Sequence, residues 1–352
     1  MPGYRDMRAL VRLLVVSCVL LASPAAFAAE GPSDAQEQVQ RQQDQPLNNA
    51  PVWRDVRGGE NPYQTTQVRG IETNVLIQSQ GETWRQFRNG PITVYGGWLL
   101  VLILLAILAF YLLKGPIKLH GQPTGRKIQR FSAWDRTIHW TVAISWVILA
   151  ISGLILLFGK YVVLPLFGYT LFSWLAILSK NLHNFVGPVF LIAAALMFFT
   201  YLGRNIPRAY DVTWLLKGGG MLTGKHVPSG FFNAGEKIVF WVGLFLFSII
   251  VGASGLVLLF PNLDQGRVIM QYANIVHAVT AVLFIGMIFG HMYLGTVGLE
   301  GAYQNMRHDG LVDETWAKEH HEYWYNEVKG HPGAGGHMSA ARATAMKEGW
   351  KL

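Results

Sequence analysis

Five stretches of the chain carry no Asp, Glu, Lys or Arg at all: Ile92–Leu113, Ile138–Phe158, Leu182–Leu202, Ile238–Phe260 and Tyr272–Gly298. Each is close to the ~20 residues that a helix needs to cross the hydrocarbon of a bilayer. A backbone in hydrocarbon must pair its own polar groups, so an uncharged stretch of this length folds as a helix. The expected fold is therefore an all-α membrane protein with five transmembrane helices. Composition agrees: 51% of the 352 residues are hydrophobic and only 14% are charged, against about 25% charged in a typical soluble domain.

The residues before the first stretch divide in two. Arg5, Arg8 and Arg12 lead into the apolar run Leu13–Ala22 and the small-residue site Ala26-Phe27-Ala28, the pattern of a signal peptide over residues 1–28. Residues 29–91 are polar; between Glu30 and Asn89 eight acidic residues stand against six arginines, with almost no apolar periodicity. Such a segment builds little core of its own, and the signal peptide places it in the periplasm. Cys18 is the single cysteine. An internal disulfide, a CxxCH haem attachment and a cysteine-held iron–sulfur cluster are thereby excluded.

With residues 29–91 outside, the first helix (92–113) enters the cytoplasm and the loops alternate. The loops expected inside, Lys114–Arg136 and Arg204–Lys237, carry six and five Lys/Arg. Those expected outside, Lys160–Lys180 and Asn262–Gln271, carry two and one. This is the bias of the positive-inside rule, and it leaves residues 301–352 as a cytoplasmic tail. The net charge of +8 belongs to that topology. No basic run interleaved with aromatics points to nucleic acid.

Eleven histidines divide by position. His120, His226, His308, His320, His321, His331 and His337 fall in loops or the tail, where solvated or interfacial roles are expected. His139, His183, His277 and His291 fall within or at the ends of the apolar stretches, where an ionisable group requires a partner or cavity. Helix direction sets their depths. His139 opens the second helix at the cytoplasmic side and His183 opens the third at the periplasmic side. On the fifth helix His277 and His291 are 14 residues apart, nearly four turns and about 21 Å. The depths pair His183 with His277 on the outer side and His139 with His291 on the inner side.

Two histidines from two helices at each of two levels is the ligand set of two bis-histidine haems. Zinc would require more donors per site. A proton-relaying transporter would be expected to add Asp or Glu between the helix ends, and there is none. A haem-free membrane anchor is the remaining rival from another class. Gly153, Gly187, Gly252, Gly255, Gly286 and Gly290 would let a flat ring approach backbone, although small residues also serve plain helix packing. Arg136, near His139, is either a propionate partner or an anchor of the loop.

Several separated motifs resemble the gamma, cytochrome b subunits of membrane-bound formate dehydrogenases over residues 130–329. They are RFSAWDRTIHW from Arg130, NLHNFVGP from Asn181, GRNIPRAYDVTWLLKGG from Gly203, FFNAGEKIVFW from Phe231, NIVHAVTAV from Asn274, HMYLG from His291 and ETWAKEHHEYWYNEVK from Glu314. The resemblance implies a dihaem four-helix bundle over residues 130–300, in the bacterial inner membrane. It implies haem b ligation by the pairs His183/His277 and His139/His291. It also implies quinone binding by Asn233, Gly235 and His291 beside the inner haem. The implied partners are an iron–sulfur beta subunit, a catalytic molybdenum or tungsten alpha subunit and the quinone pool. Cytochrome b subunits of nickel–iron hydrogenases and thiosulfate reductases share the dihaem plan and form the nearest alternative. The first 130 residues depart from the shorter family pattern by a signal peptide, a polar segment and one extra helix.

Overall fold

The computed structural model describes residues 79–329 apart from 222, 225, 264 and 308. The signal peptide, nearly all of the polar segment, His308, His331 and His337 lie outside the described residues. The chain divides into two compact units, residues 1–77 with 161–168, and residues 78–160 with 169–352. Of the first unit only 161–168 is described. The second unit contains all four membrane histidines.

Among the described residues five helices are long and apolar enough to cross a membrane: α1 (Gln80–Lys114), α2 (Ala133–Phe158), α3 within Val163–Arg204, α5 (Ala234–Leu259) and α6 (Arg267–Gly298), with the short α4 (Ala209–Leu216) between α3 and α5. No more than 28% of any span's most apolar window is buried. Large side chains such as Leu113, Trp174, Phe185, Ile192 and Phe199 face outward, an apolar surface of the kind that lipid or a partner protein covers.

All five spans are longer than their uncharged stretches, and in α1, α2 and α3 local chemistry shows how the start is set. In α1, Pro91 cannot donate a hydrogen bond, and a wider π turn at Arg88–Ile92 takes it in without ending the helix. α2 starts at a capping box in which Ser132 and Asp135 satisfy each other's backbone N–H groups. The third helix departs most from expectation. The segment 169–181, expected as loop up to Lys180, is helical, and the break comes at Gly168, where φ is +75°. His183 therefore lies well inside α3 rather than at its start. The residues from Tyr169 to Ser179 are uncharged, mainly apolar and contain no Gly or Pro, so nothing stops the helix before Gly168.

The main core joins all five spans: Leu100 of α1, Trp146 of α2, Phe190 and Ala194 of α3, Val282, Phe284 and Ile285 of α6, with Leu244, Phe247 and Val251 of α5 packed against them. Helix α1 seats on α6. A Cβ on Gly286 would stand 2.6 Å from Ile103, and one on Gly96 would stand 3.4 Å from Val282, so glycine on either helix permits the approach.

The segment after α6 is more than a tail. β1 (Lys127–Gln129) pairs antiparallel with β2 (Leu311–Asp313), setting Ile128 opposite Val312. With α7 (Glu314–His320) and α8 (Glu322–Val328) they enclose a second core of Ile128, Val312, Trp316, Ala317 and Trp324. His321, expected at a solvated or interfacial place, is 1% exposed, with Nδ1 2.8 Å from the Gly230 carbonyl. Burial also pushes the neighbouring His320 down from 6.5 to about 4, and its Nε2 has no hydrogen-bond partner. Between those two values the unfolded cap binds a proton that the folded cap refuses, so stability present above pH 6.5 is lost as pH falls toward 4, by up to about 3 kcal/mol. Fluorescence of Trp316 and Trp324 together with amide exchange of α7 should report this loosening; His320→Leu should remove only the share of His320, because burial also holds the His321 imidazole well below its ordinary value and adds to the same slope.

Candidate haem and quinone sites

Each of the four membrane histidines meets the partner that its depth assigned. The ring centres of His183 and His277 are 6.0 Å apart, those of His139 and His291 6.4 Å. All four are half-buried. A metal–imidazole bond is about 2 Å, so two rings on opposite sides of one ion stand about 6 Å between centres. Both pairs fit that span. Each level thus offers two imidazole donors from two helices, a set that could hold a planar tetrapyrrole.

The His183/His277 pair opens into a cavity of about 250 Å³ between α2, α3, α5 and α6. Its walls are mainly apolar. Arg88, Lys180, Asn184 and Asn274 supply the polar groups, and the Asn274 Oδ1 is buried without a partner. The glycines sort by what a Cβ would meet. On Gly153 it would lie 3.3 Å from Cε1 of His183, and on Gly255 3.2 Å from Cε1 of His277; these two make room for the imidazoles. Gly187 and Gly290 face open space, Gly187 on the cavity wall. Gly252 and Gly286 instead admit Leu191 and Ile103 and belong to helix packing.

Hydrogen bonds distinguish the two levels. His183 Nδ1 is 2.9 Å from Ser152 Oγ, and His277 Nδ1 is 3.2 Å from Ser254 Oγ and 3.0 Å from the Val251 carbonyl. At the other level His139 Nδ1 is buried with no hydrogen-bond partner. Reading the sequence for histidines missed Ser152 and Ser254, and also Arg88 and Lys180 on the cavity wall. A signal for the serines was present: Ile151-Ser152-Gly153-Leu154-Ile155-Leu156-Leu157-Phe158 matches Ala253-Ser254-Gly255-Leu256-Val257-Leu258-Leu259-Phe260 almost residue for residue.

Asn233 caps α5, its Oδ1 accepting from the Glu236 N–H at 2.9 Å while Glu236 Oε2 accepts from the Asn233 N–H at 2.8 Å. Gly235 lies against the Trp214 indole, which a Cβ would meet at 3.1 Å. Around this cap Arg130, 3% exposed, bonds Glu236 at 3.1 Å, Asn305 at 3.2 Å and the Phe231 carbonyl. Lys237 pairs with Asp211 at 2.7 Å. Arg136 donates to the Phe131 carbonyl at 2.6 Å, a loop-anchoring contact.

Histidines paired at two levels of an apolar helical bundle define the class, a helical membrane cytochrome of the b type. A sequence model of the family described as prokaryotic cytochrome b561 matches residues 130–307. The cytochrome b556(Fdn) subunit of the nitrate-inducible formate dehydrogenase of Escherichia coli K12 is 30% identical over 215 residues, which cover 58% of this chain and 93% of that one. The cytochrome b556(fdo) subunit of formate dehydrogenase from the same organism is 30% identical over 211 residues, covering 57% and 93%. The formate dehydrogenase cytochrome b556 subunit of Haemophilus influenzae is 23% identical over 212 residues, covering 57% and 83%. The chain belongs to the prokaryotic cytochrome b561 family, among the formate dehydrogenase cytochrome b subunits, and family membership implies haem b as its cofactor.

Proposed function

We propose that the chain is the dihaem, quinone-reducing subunit of a formate dehydrogenase complex in the bacterial inner membrane. The observation that carries this reading is the meeting of four histidines as two pairs, with ring centres 6.0 and 6.4 Å apart, at two levels of α6. When bound, two haems b would supply one-electron Fe(III)/Fe(II) couples between a partner's iron–sulfur centre at one face and quinone at the other.

His183 and His277 hold the outer group, and His139 and His291 the inner one. Arg88 and Lys180 on the outer cavity wall provide positive charge suited to carboxylate substituents. Asn233 uses Oδ1 for its cap, which leaves its NH₂ to donate to a quinone carbonyl. Gly235 keeps that rim low, and His291 faces the quinone through its second ring nitrogen. Residues 130–300 form the dihaem bundle. Residues 1–28 are a cleaved signal, 29–91 lie in the periplasm, 92–113 form the core of the extra helix, and 301–352 face the cytoplasm, as the loop charge bias supports. Formate is oxidised in a catalytic molybdenum or tungsten alpha subunit, which an iron–sulfur beta subunit connects to this chain.

Haem content by pyridine haemochromogen on the purified complex, with identification of the copurifying subunits, tests the reading. Two haems b per chain with a formate-oxidising partner is the expected result. A copurifying hydrogenase large subunit would move the chain to that electron donor, and a well-folded colourless protein would make it an anchor or transporter.

A further inference from the structure

The outer histidines are held by the same device on two different helices. Ser152 sits on α2 and Ser254 on α5, each followed by the glycine that clears space for the imidazole, Gly153 for His183 and Gly255 for His277. Both serines are buried, 2% and 7% exposed. Each hydroxyl has one proton, and both are engaged with their own helix. Ser152 Oγ donates to the Ile148 carbonyl at 2.7 Å, and Ser254 Oγ donates to the Ile250 carbonyl at 2.6 Å. A hydroxyl that donates to a carbonyl has only lone pairs left to offer. The hydrogen between Ser152 and His183, and that between Ser254 and His277, must therefore sit on the imidazole Nδ1. The Val251 carbonyl, 3.0 Å from His277 Nδ1, can only accept, and so requires the same tautomer independently.

We propose that Ser152 and Ser254 are positioning residues that lock His183 and His277 as Nδ1–H tautomers, turning both Nε2 lone pairs toward the shared iron. The assignment rests on the bis-histidine reading above and extends it to electronic tuning. An Nδ1–H that donates to an oxygen makes the ring a stronger donor to its metal, which favours Fe(III) and lowers the outer potential. The inner level lacks this arrangement at His139, whose Nδ1 has no partner. The fold thus builds a difference between the two levels that the histidines alone do not contain.

The experiment is a spectroelectrochemical redox titration with low-temperature EPR on the whole complex, comparing wild type with Ser152→Ala, Ser254→Ala, the double alanine variant and the two Ser→Thr variants. The expected result is two haems throughout and an upward shift of the outer midpoint in the alanine variants. In the double variant the shift should approach a tenfold change in the reduced-to-oxidised ratio at fixed ambient potential, 59 mV for one electron. The outer low-spin EPR signal should shift with it, the inner signal should stay in place, and threonine should restore the wild-type values. Two haems with an outer midpoint and EPR signal untouched by alanine would overturn the proposal while leaving the haem reading standing. Loss of the outer haem in alanine and threonine variants alike would also overturn it. A wild type without haem would instead defeat the bis-histidine reading itself.

Discussion

His291→Ala should abolish quinone reduction by the complex while leaving formate oxidation with an artificial acceptor intact. The expected fall in formate-to-quinone turnover is more than about a hundredfold, because removal even of groups that merely support a metal ligand costs 10–100-fold. His291 faces His139 at 6.4 Å and belongs to the α6 end farther from the cavity of His183 and His277. The substitution should therefore cost one haem of two, seen as a halved haemochromogen yield and loss of one component from the reduced-minus-oxidised spectrum. His139→Ala should do the same to the same component. His183→Ala and His277→Ala should remove the other component and leave the inner one reducible by quinol. Any other grouping of the four variants would refute the pairing.

The second large effect concerns stability. Lys237 and Asp211 are 6% and 9% exposed and 2.7 Å apart, and Lys237 Nζ also donates to the Ile206 carbonyl at 3.2 Å. Asp211 Oδ2 further accepts from the Arg208 N–H at 2.6 Å, whereas Oδ1 is buried with no partner. Lys237→Met strands that carboxylate, and removing one partner of a buried ion pair costs about 3–5 kcal/mol. Thermal unfolding in detergent should show a large loss for Lys237→Met. The double variant Lys237→Met with Asp211→Leu should recover most of it, since an apolar pair of similar volume has no charge to desolvate. A double variant no better than the single one would mean that the pair's own hydrogen bonds dominate.

These two predictions separate the roles inside one short motif. In Asn233-Ala234-Gly235-Glu236-Lys237, the asparagine and glutamate cap α5, the glutamate receives Arg130, the lysine closes on Asp211, and the glycine admits Trp214. The quinone role proposed for Asn233 and Gly235 is laid over a clasp that already holds the α3–α5 connection. A fall in quinone affinity on Asn233→Ala is therefore to be read beside its stability, because loss of an N-cap costs about 1 kcal/mol by itself.

Sequence by itself determined the all-helical membrane architecture, the five spans found among the described residues, their order and which of the four histidines meet. These follow from length, absence of charge and a rise per residue that is the same in every helix. Loop composition likewise supplied the expected orientation. What only the tertiary structure decided depends on which faces touch. It extended α3 back to Gly168, turned residues 311–328 from tail into a packed cap, and buried His321. It divided six similar glycines into two that clear the imidazoles, two that admit a neighbouring helix and two that face open space. It also set Ser152 and Ser254 on the histidines. The reason is physical: a spanning helix is specified by its own residues, but a close approach or a hydrogen bond between helices depends on rotation and packing against partners far away in the chain.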